Sequence, residues 1–183
     1  MKKELFQEIE IPEGVEAEIR GNTAIIKGKE GESSRSFNIK NLIFEKKGDK
    51  IIIGSKKSTK SEKKLMNTAA SHLKNMMEGV QKKFEYKLKI CFSHFPISVN
   101  VEGDTAMIKN FLGEKVGRKV KIPEGVDVKV NKEIITIISS NKESAGQASA
   151  NFETATKVGM RDRRVFQDGI FIINKAGENI WNF

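Results

Sequence analysis

The chain has 183 residues, 33 Lys+Arg against 24 Asp+Glu, a formal net charge of +9 and 38% hydrophobic residues. That length holds one ordinary domain or two lean ones, and the positive balance favours a polyanionic partner, either nucleic acid or an acidic membrane surface. A single cysteine excludes an internal disulfide framework, and no window approaches the roughly 18 apolar residues of a membrane span, so no membrane partner is expected.

The opening MKKELFQEIEIPEG carries acidic residues where a signal peptide needs an apolar run, which predicts an interior, cytoplasmic location. Val15 to Ile19 alternates apolar and polar residues as a half-buried strand does; Gly21-Asn22 signals a turn and a second strand follows. Ile51 to Ile53 is a β-branched run that predicts a further strand. Thr59-Lys-Ser-Glu62 has the spacing of a capping box. The helix it opens would show Leu65, Ala69, Leu73, Met76 and Met77 on one face and stop at Gly79. Phe84 to Phe92 alternates like a strand that closes this unit and leads into the next.

The same order then returns. Ile97 to Val101 alternates, Gly103-Asp104 turns, and Ile134 to Ile138 is β-branched. Ser144-Ala-Gly-Gln147 matches a second capping box, before a helix with Ala148, Phe152, Ala155 and Val158 on its apolar face and Gly159 as its stop. Phe166 to Ile172 lies 82 positions after Phe84 to Ile90 (166 − 84). At the same offset, GDTAMIKNFLGE from Gly103 and GNTAIIKGKEGE from Gly21 share seven of twelve positions, where unrelated segments share roughly one. A repeated supersecondary unit predicts an α+β chain of two duplicated modules, residues 1–82 and 83–183. Each would be a small antiparallel sheet covered on one face by one amphipathic helix. IPEGV at Ile11 and at Ile122, offset by 111 (122 − 11), reads as turn chemistry used twice.

No set of residues converges on catalysis. Cys91 and His94 stand three apart on an extended pattern and so point to opposite faces; two histidines are too few for a histidine-based metal site. Gly28-Lys-Glu-Gly31 lacks the ending of a phosphate loop, Asp162 and Asp168 have no catalytic mate, and Asp168-Gly169 reads as a turn pair. Neither an enzyme, a cofactor nor a small-molecule substrate is expected. Lys56, Lys57, Lys60, Lys63 and Lys64 suit a solvated face and a binding face equally. Lys115, Arg118, Lys119 and Lys121 favour binding, since their counterpart in the first module, Ser33 to Ser36, is much less basic. Arg161-Asp-Arg-Arg164 is the sharpest patch, because a guanidinium fork pairs with phosphate. Aromatic content of 7% in mostly apolar-alternating positions favours phosphate-and-shape contact with folded RNA over a base-stacking platform. Trp181 and Phe183 either dock on RNA or a neighbouring protein, or fold back on their own module.

Arg161, Arg164-Val-Phe-Gln-Asp-Gly-Ile-Phe-Ile-Ile-Asn-Lys175, Ser93-His-Phe-Pro-Ile97, Val101-Glu-Gly-Asp104 and Asn110-Phe-Leu-Gly-Glu-Lys115 together resemble the archaeal and eukaryotic form of the sixth large-subunit ribosomal protein family. Thr154 stands where that family would place glutamine, and Phe171 where it would place tyrosine. The resemblance implies two duplicated α+β modules and a non-catalytic protein of the cytoplasmic ribosome. It would bind large-subunit ribosomal RNA mainly through the C-terminal module, near the sarcin–ricin region, beside neighbouring ribosomal proteins. Carried over residue by residue, it implies RNA contacts at Arg161, Arg163, Arg164, Lys175, Lys115 and Arg118, with Phe166 and Gly169 shaping the loop. The rival readings are a basic adaptor for acidic protein partners and a nuclease, the latter lacking convergent carboxylates or a histidine base.

Overall fold

A computed structural model of the protein describes residues 3–38 and 42–180, so Trp181 and Phe183 lie outside the described residues, as does the side chain of Lys57. The chain forms two compact units, Met1–Lys83 and Phe84–Phe183.

The first unit runs β1 (Lys3–Glu10), β2 (Glu16–Arg20), β3 (Thr23–Gly28), β4 (Gly31–Ser36), β5 (Ile43–Lys47), β6 (Lys50–Ser58) and α1 (Lys60–Gln81). Its strands divide between two antiparallel sheets, β1-β6-β5 and β2-β3-β4. Helix α1 packs against both. Ile51 and Ile53 of β6, Ala24 and Ile26 of β3, and Leu73, Met77 and Val80 of α1 belong to one buried apolar cluster. Burying such a branched side chain contributes roughly 1.5–3 kcal/mol over leaving it in water. The amphipathic stripe therefore seats the helix, and the Thr59–Glu62 capping box forms as the spacing predicts, Glu62 accepting from the Thr59 backbone N–H. Ala69, Leu73, Met76 and Met77 are buried as expected; Leu65 alone departs, at 44% exposed, with Met66 in the core beside it. Gly79 does not end the helix; it is buried inside it, and the helix continues to Gln81.

The second unit repeats this plan with β7 (Phe84–Cys91), β8 (Ser98–Glu102), β9 (Thr105–Lys109), β10 (Arg118–Lys121), β11 (Asp127–Asn131), β12 (Ile134–Ser139) and α2 (Lys142–Ala155). It then adds β13 (Gly169–Lys175) and β14 (Glu178–Asn179). The sheets are β10-β9-β8 and β11-β12-β7-β13-β14. Two duplicated α+β modules are thus present, each with its helix against two small antiparallel sheets.

The duplication explains the near-identical segments, up to a point. In both copies a two-residue hairpin joins strands at Gly21 (φ 59) and Gly103 (φ 58), the left-handed first loop position that favours glycine. The copies then part. Gly31-Glu32 begins β4, whereas the matching Gly113-Glu114 closes a 3-10 turn, Phe111–Gly113, in a longer connection between β9 and β10. Pro12–Gly14 links β1 to β2, while its look-alike at Pro123–Gly125 links β10 to β11, so the two IPEGV segments occupy different places in the module.

Three sequence expectations are corrected at the end of the second unit. Helix α2 is capped by Asn141, whose side chain accepts from the Glu143 N–H at 2.9 Å, so Ser144 lies within the helix and Gln147 donates to Asn151 instead. The helix ends at Ala155, ahead of Gly159, and Val158 packs on the core from the following loop. Phe166 precedes β13, which begins at Gly169. Nor is β7 the closing strand of the first module. It pairs with β12 and β13 within the second unit, as β1 pairs with β6 in the first. Strand β13 covers the free side of β7; among the described residues, no strand covers the corresponding side of β1.

Candidate nucleic-acid interface

Two loops build the site, and each is a place where the second module departs from the first. One is residues 110–117; the other is residues 157–168, between α2 and the added strand β13.

The longer loop is pinned at both stems. Thr156 Oγ donates to the Phe152 carbonyl at 3.2 Å and accepts from the Ile170 N–H at 2.9 Å, tying the end of α2 to β13. Asp168, only 5% exposed, accepts from both the backbone N–H and the hydroxyl of Ser93, each at 3.0 Å. Asp168 is therefore a buried clamp to a segment 75 residues away, rather than the turn residue its glycine neighbour suggests. Between the stems, the Asp162 carbonyl accepts from Val165 and Phe166 N–H groups at 3.1 and 2.9 Å. The Asp162 carboxylate accepts from the Arg164 backbone N–H at 2.9 Å and from its Nη2 at 2.8 Å. The Arg164 side chain, mainly through this hydrogen bond, holds the Asp162 carboxyl below its ordinary pKa. Gln167 donates to the Arg164 carbonyl.

On this frame the arginines face water. Arg161 lies 4.9 Å from the centre of the Phe166 ring, a cation–π contact that orients it without neutralising it. Arg164 stays 89% exposed despite its ion pair. Arg163 is exposed and, among the described residues, has no carboxylate within salt-bridge distance.

The shorter loop turns through left-handed backbone at Asn110 (φ 61), Leu112 (φ 50) and Gly113 (φ 77). Any Cβ at Gly113 would also meet the Phe95 ring at 3.2 Å, which holds the loop against the Ser93–Pro96 segment. Asn110 donates to the Pro96 carbonyl at 3.0 Å, and Phe111 is buried. Lys115 and Val116 project outward. Arg118 does not. Its guanidinium lies 4.3 Å from the Phe111 ring centre, donates to the Ala155 carbonyl at 2.7 Å and forks onto Glu114 at 2.8 and 2.6 Å. The Arg118 head group is thus committed within the module. The Glu114 carboxyl is held below its ordinary pKa chiefly by the Arg118 hydrogen bond. The Arg118–Ala155 hydrogen bond ties the exit of the shorter loop to the end of α2, where the longer loop begins.

Lys115, Arg161, Arg163 and Arg164 therefore share one end of the second unit, with Val116, Met160 and Val165 as exposed apolar companions at 81, 110 and 74%. Lys175 does not join them. It closes β13 six residues beyond Gly169, roughly 20 Å along an extended strand. In the first module Lys56, Lys60, Lys63 and Lys64 are exposed around the start of α1. The sequence also missed Thr156 as part of the site, since its bond to the Ile170 N–H crosses the fold and leaves no local pattern.

Catalytic chemistry finds no footing here. Burial pushes the Cys91 thiol above its ordinary pKa, the opposite of what a nucleophile needs, and exposed His94 rests edge-on against Phe95 at 4.7 Å. Among the described residues no group of three His, Cys, Asp or Glu could hold a metal ion, and no helix is long and apolar enough to cross a membrane.

A sequence model described as ribosomal protein L6 matches the chain twice, at residues 11–83 and 95–169. The chain belongs to the ribosomal protein L6 family. The two matches fall one in each unit, and the second ends where β13 begins. The chain is 42% identical over 172 residues, 94% of each chain, to the large ribosomal subunit protein uL6 of Methanococcus vannielii. It is 43% identical to the proteins of that name from Methanocella arvoryzae, over 96% of this chain and 100% of the relative, and from Methanobrevibacter smithii, over 92% and 95%. Ribosomal protein L6 is a structural, non-enzymatic family.

Proposed function

We propose that this chain is a structural constituent of the large ribosomal subunit that binds ribosomal RNA mainly through its C-terminal module, residues 83–183. It would work in the cytoplasm within the ribosome, beside neighbouring ribosomal proteins, and brace the RNA near the sarcin–ricin region where translation factors act. The observation that carries this reading is the pair of loops unique to the second module: one, tied by Asn110 to Pro96, presents Lys115, and the other, clamped by Asp168 and Thr156, presents Arg161, Arg163 and Arg164. Pre-set cations lose little freedom on meeting phosphate and release counterions as they do so. Lys175 makes a separate contact further along β13, and Arg118 acts by bracing the loops. The names borne by the similar archaeal proteins support the same assignment.

Filter binding of the full chain to large-subunit ribosomal RNA across a salt series tests this. Changing Arg161, Arg163 and Arg164 together to Ala should weaken binding and flatten the salt slope by roughly 2–3, at about 0.9 for each phosphate no longer neutralised. An unchanged slope removes these arginines from the interface. Free migration of the chain away from large subunits in high salt would favour the adaptor reading instead.

A further inference from the structure

Behind the arginine loop lies a cleft of about 720 Å³ whose walls come from three segments: the end of β7 and its exit, the last turn of α2, and the loop with β13. That volume is within the range of small-ligand sites. Phe92, Phe166 and Phe171 all line it, and none is fully buried; Phe92 is 38% exposed. Elsewhere in the same unit Phe84, Phe111 and Phe152 are buried at 8, 1 and 0%, and Phe95 alone among the other described phenylalanines is open, at 41%. Phe92 is exposed, while Phe166, which carries Arg161 near its ring, and Phe171 are half-buried; the apolar surface these rings still present at one opening would be recovered by a flat partner. Lys157 and Arg163 stand at the same opening, and Glu153 offers a carboxylate that can accept from N–H groups.

We propose that this cleft takes one unstacked nucleotide of an RNA strand, the base entering among the phenylalanines and its phosphate remaining beside Lys157 and Arg163. The inference rests on the RNA-binding reading above and specifies what the arginine loop holds. A duplex cannot offer a base to such a cleft without extruding it, whereas a bulge or loop nucleotide is already free of its stack. This is recognition of a single base in a pocket, not a sheet-borne stacking platform, so it is compatible with a module whose other contacts are to phosphate. Glu153 would favour a base presenting N–H donors at its edge.

The test uses the full chain and five hairpin RNAs: one with a fully paired stem and four carrying a single bulged A, C, G or U. At low salt the native chain should prefer at least one bulged hairpin by roughly tenfold, within the range that base–aromatic stacking gives. Thr154 is exposed on the last helical turn and lines the cleft. Thr154→Trp should fill it from the surface and abolish the preference, leaving affinity for the paired hairpin and the melting temperature unchanged. Phe92→Leu, which keeps apolar volume but loses the ring face, should reduce the preference as well. Equal affinity of the native chain for all five hairpins overturns the pocket alone, and would suit a cleft made for a protein side chain. A preference that survives both substitutions places bulge recognition elsewhere and also overturns it. Failure to bind any hairpin removes the RNA-binding reading, and the pocket with it.

Discussion

Replacing Arg118 by Met separates bracing from phosphate contact. The methionine keeps an unbranched apolar stem over Phe111 but loses every guanidinium interaction. The hydrogen bond to the half-buried Ala155 carbonyl joins a charged donor to the end of α2, a class worth about 1.5–3 kcal/mol. The stack on Phe111 at 4.3 Å adds about 0.5–1 kcal/mol. The fork onto Glu114, with side chains 31 and 39% exposed, is screened by water and adds about 0.5 kcal/mol. Because these terms share one group and the methionine stem still packs, the expected loss is about 3 kcal/mol. For the unit of 100 residues (183 − 84 + 1), that lowers Tm by roughly 12–24 °C, at about 4–8 °C per kcal/mol. Calorimetry of the full chain measures the shift, and a salt series on RNA binding measures the rest. A large fall in Tm is expected, with the salt slope unchanged at temperatures where the variant is folded. An unchanged Tm together with a slope smaller by about 0.9 would refute the bracing role and make Arg118 a phosphate contact.

Two further outcomes follow from the clamps. The lowered pKa of Glu114 means that its ionised form contributes stability above its unfolded pKa, a contribution that disappears as pH falls through the folded value. Glu114→Gln should therefore cost about 0.5–1 kcal/mol at neutral pH. That deficit should fade in acid below the ordinary carboxylate range, and a pH-independent deficit in urea unfolding would count against the ion pair. Asp168→Ala removes both hydrogen bonds to Ser93 and should destabilise by about 2–4 kcal/mol. Asp168→Asn, which retains an acceptor oxygen, should recover at least half. Equal losses would mean that charge, not hydrogen bonding, holds the loop stem.

The modules were legible because their cues are local. Alternation in Val15 to Ile19 and Ile97 to Val101, glycine at Gly21 and Gly103, and the Thr59–Glu62 box each depend on neighbours a few residues away. Expectation and structure part where two local signals compete or where partners are distant. Asn141 outcompetes Ser144 as a helix cap, and nothing near Phe84 says that β7 opens the second module rather than closing the first. The arginine run was visible as a charge pattern, yet its presentation depends on Thr156 meeting Ile170 and Asp168 meeting Ser93. Neither of those pairings leaves a mark in a short window.

By itself the amino-acid sequence determined the α+β class, the doubling of the chain and the concentration of arginine after the second helix, since periodicity, repetition and charge are properties of order along the chain. The tertiary structure alone decided that Arg118 turns inward to Ala155 while Arg161, Arg163 and Arg164 turn outward, and that three phenylalanines meet at one cleft. It decided them because a side chain's role depends on which groups from elsewhere in the fold reach it first, and a hydrogen bond across 37 residues, like that of Arg118, exists only once both ends are packed.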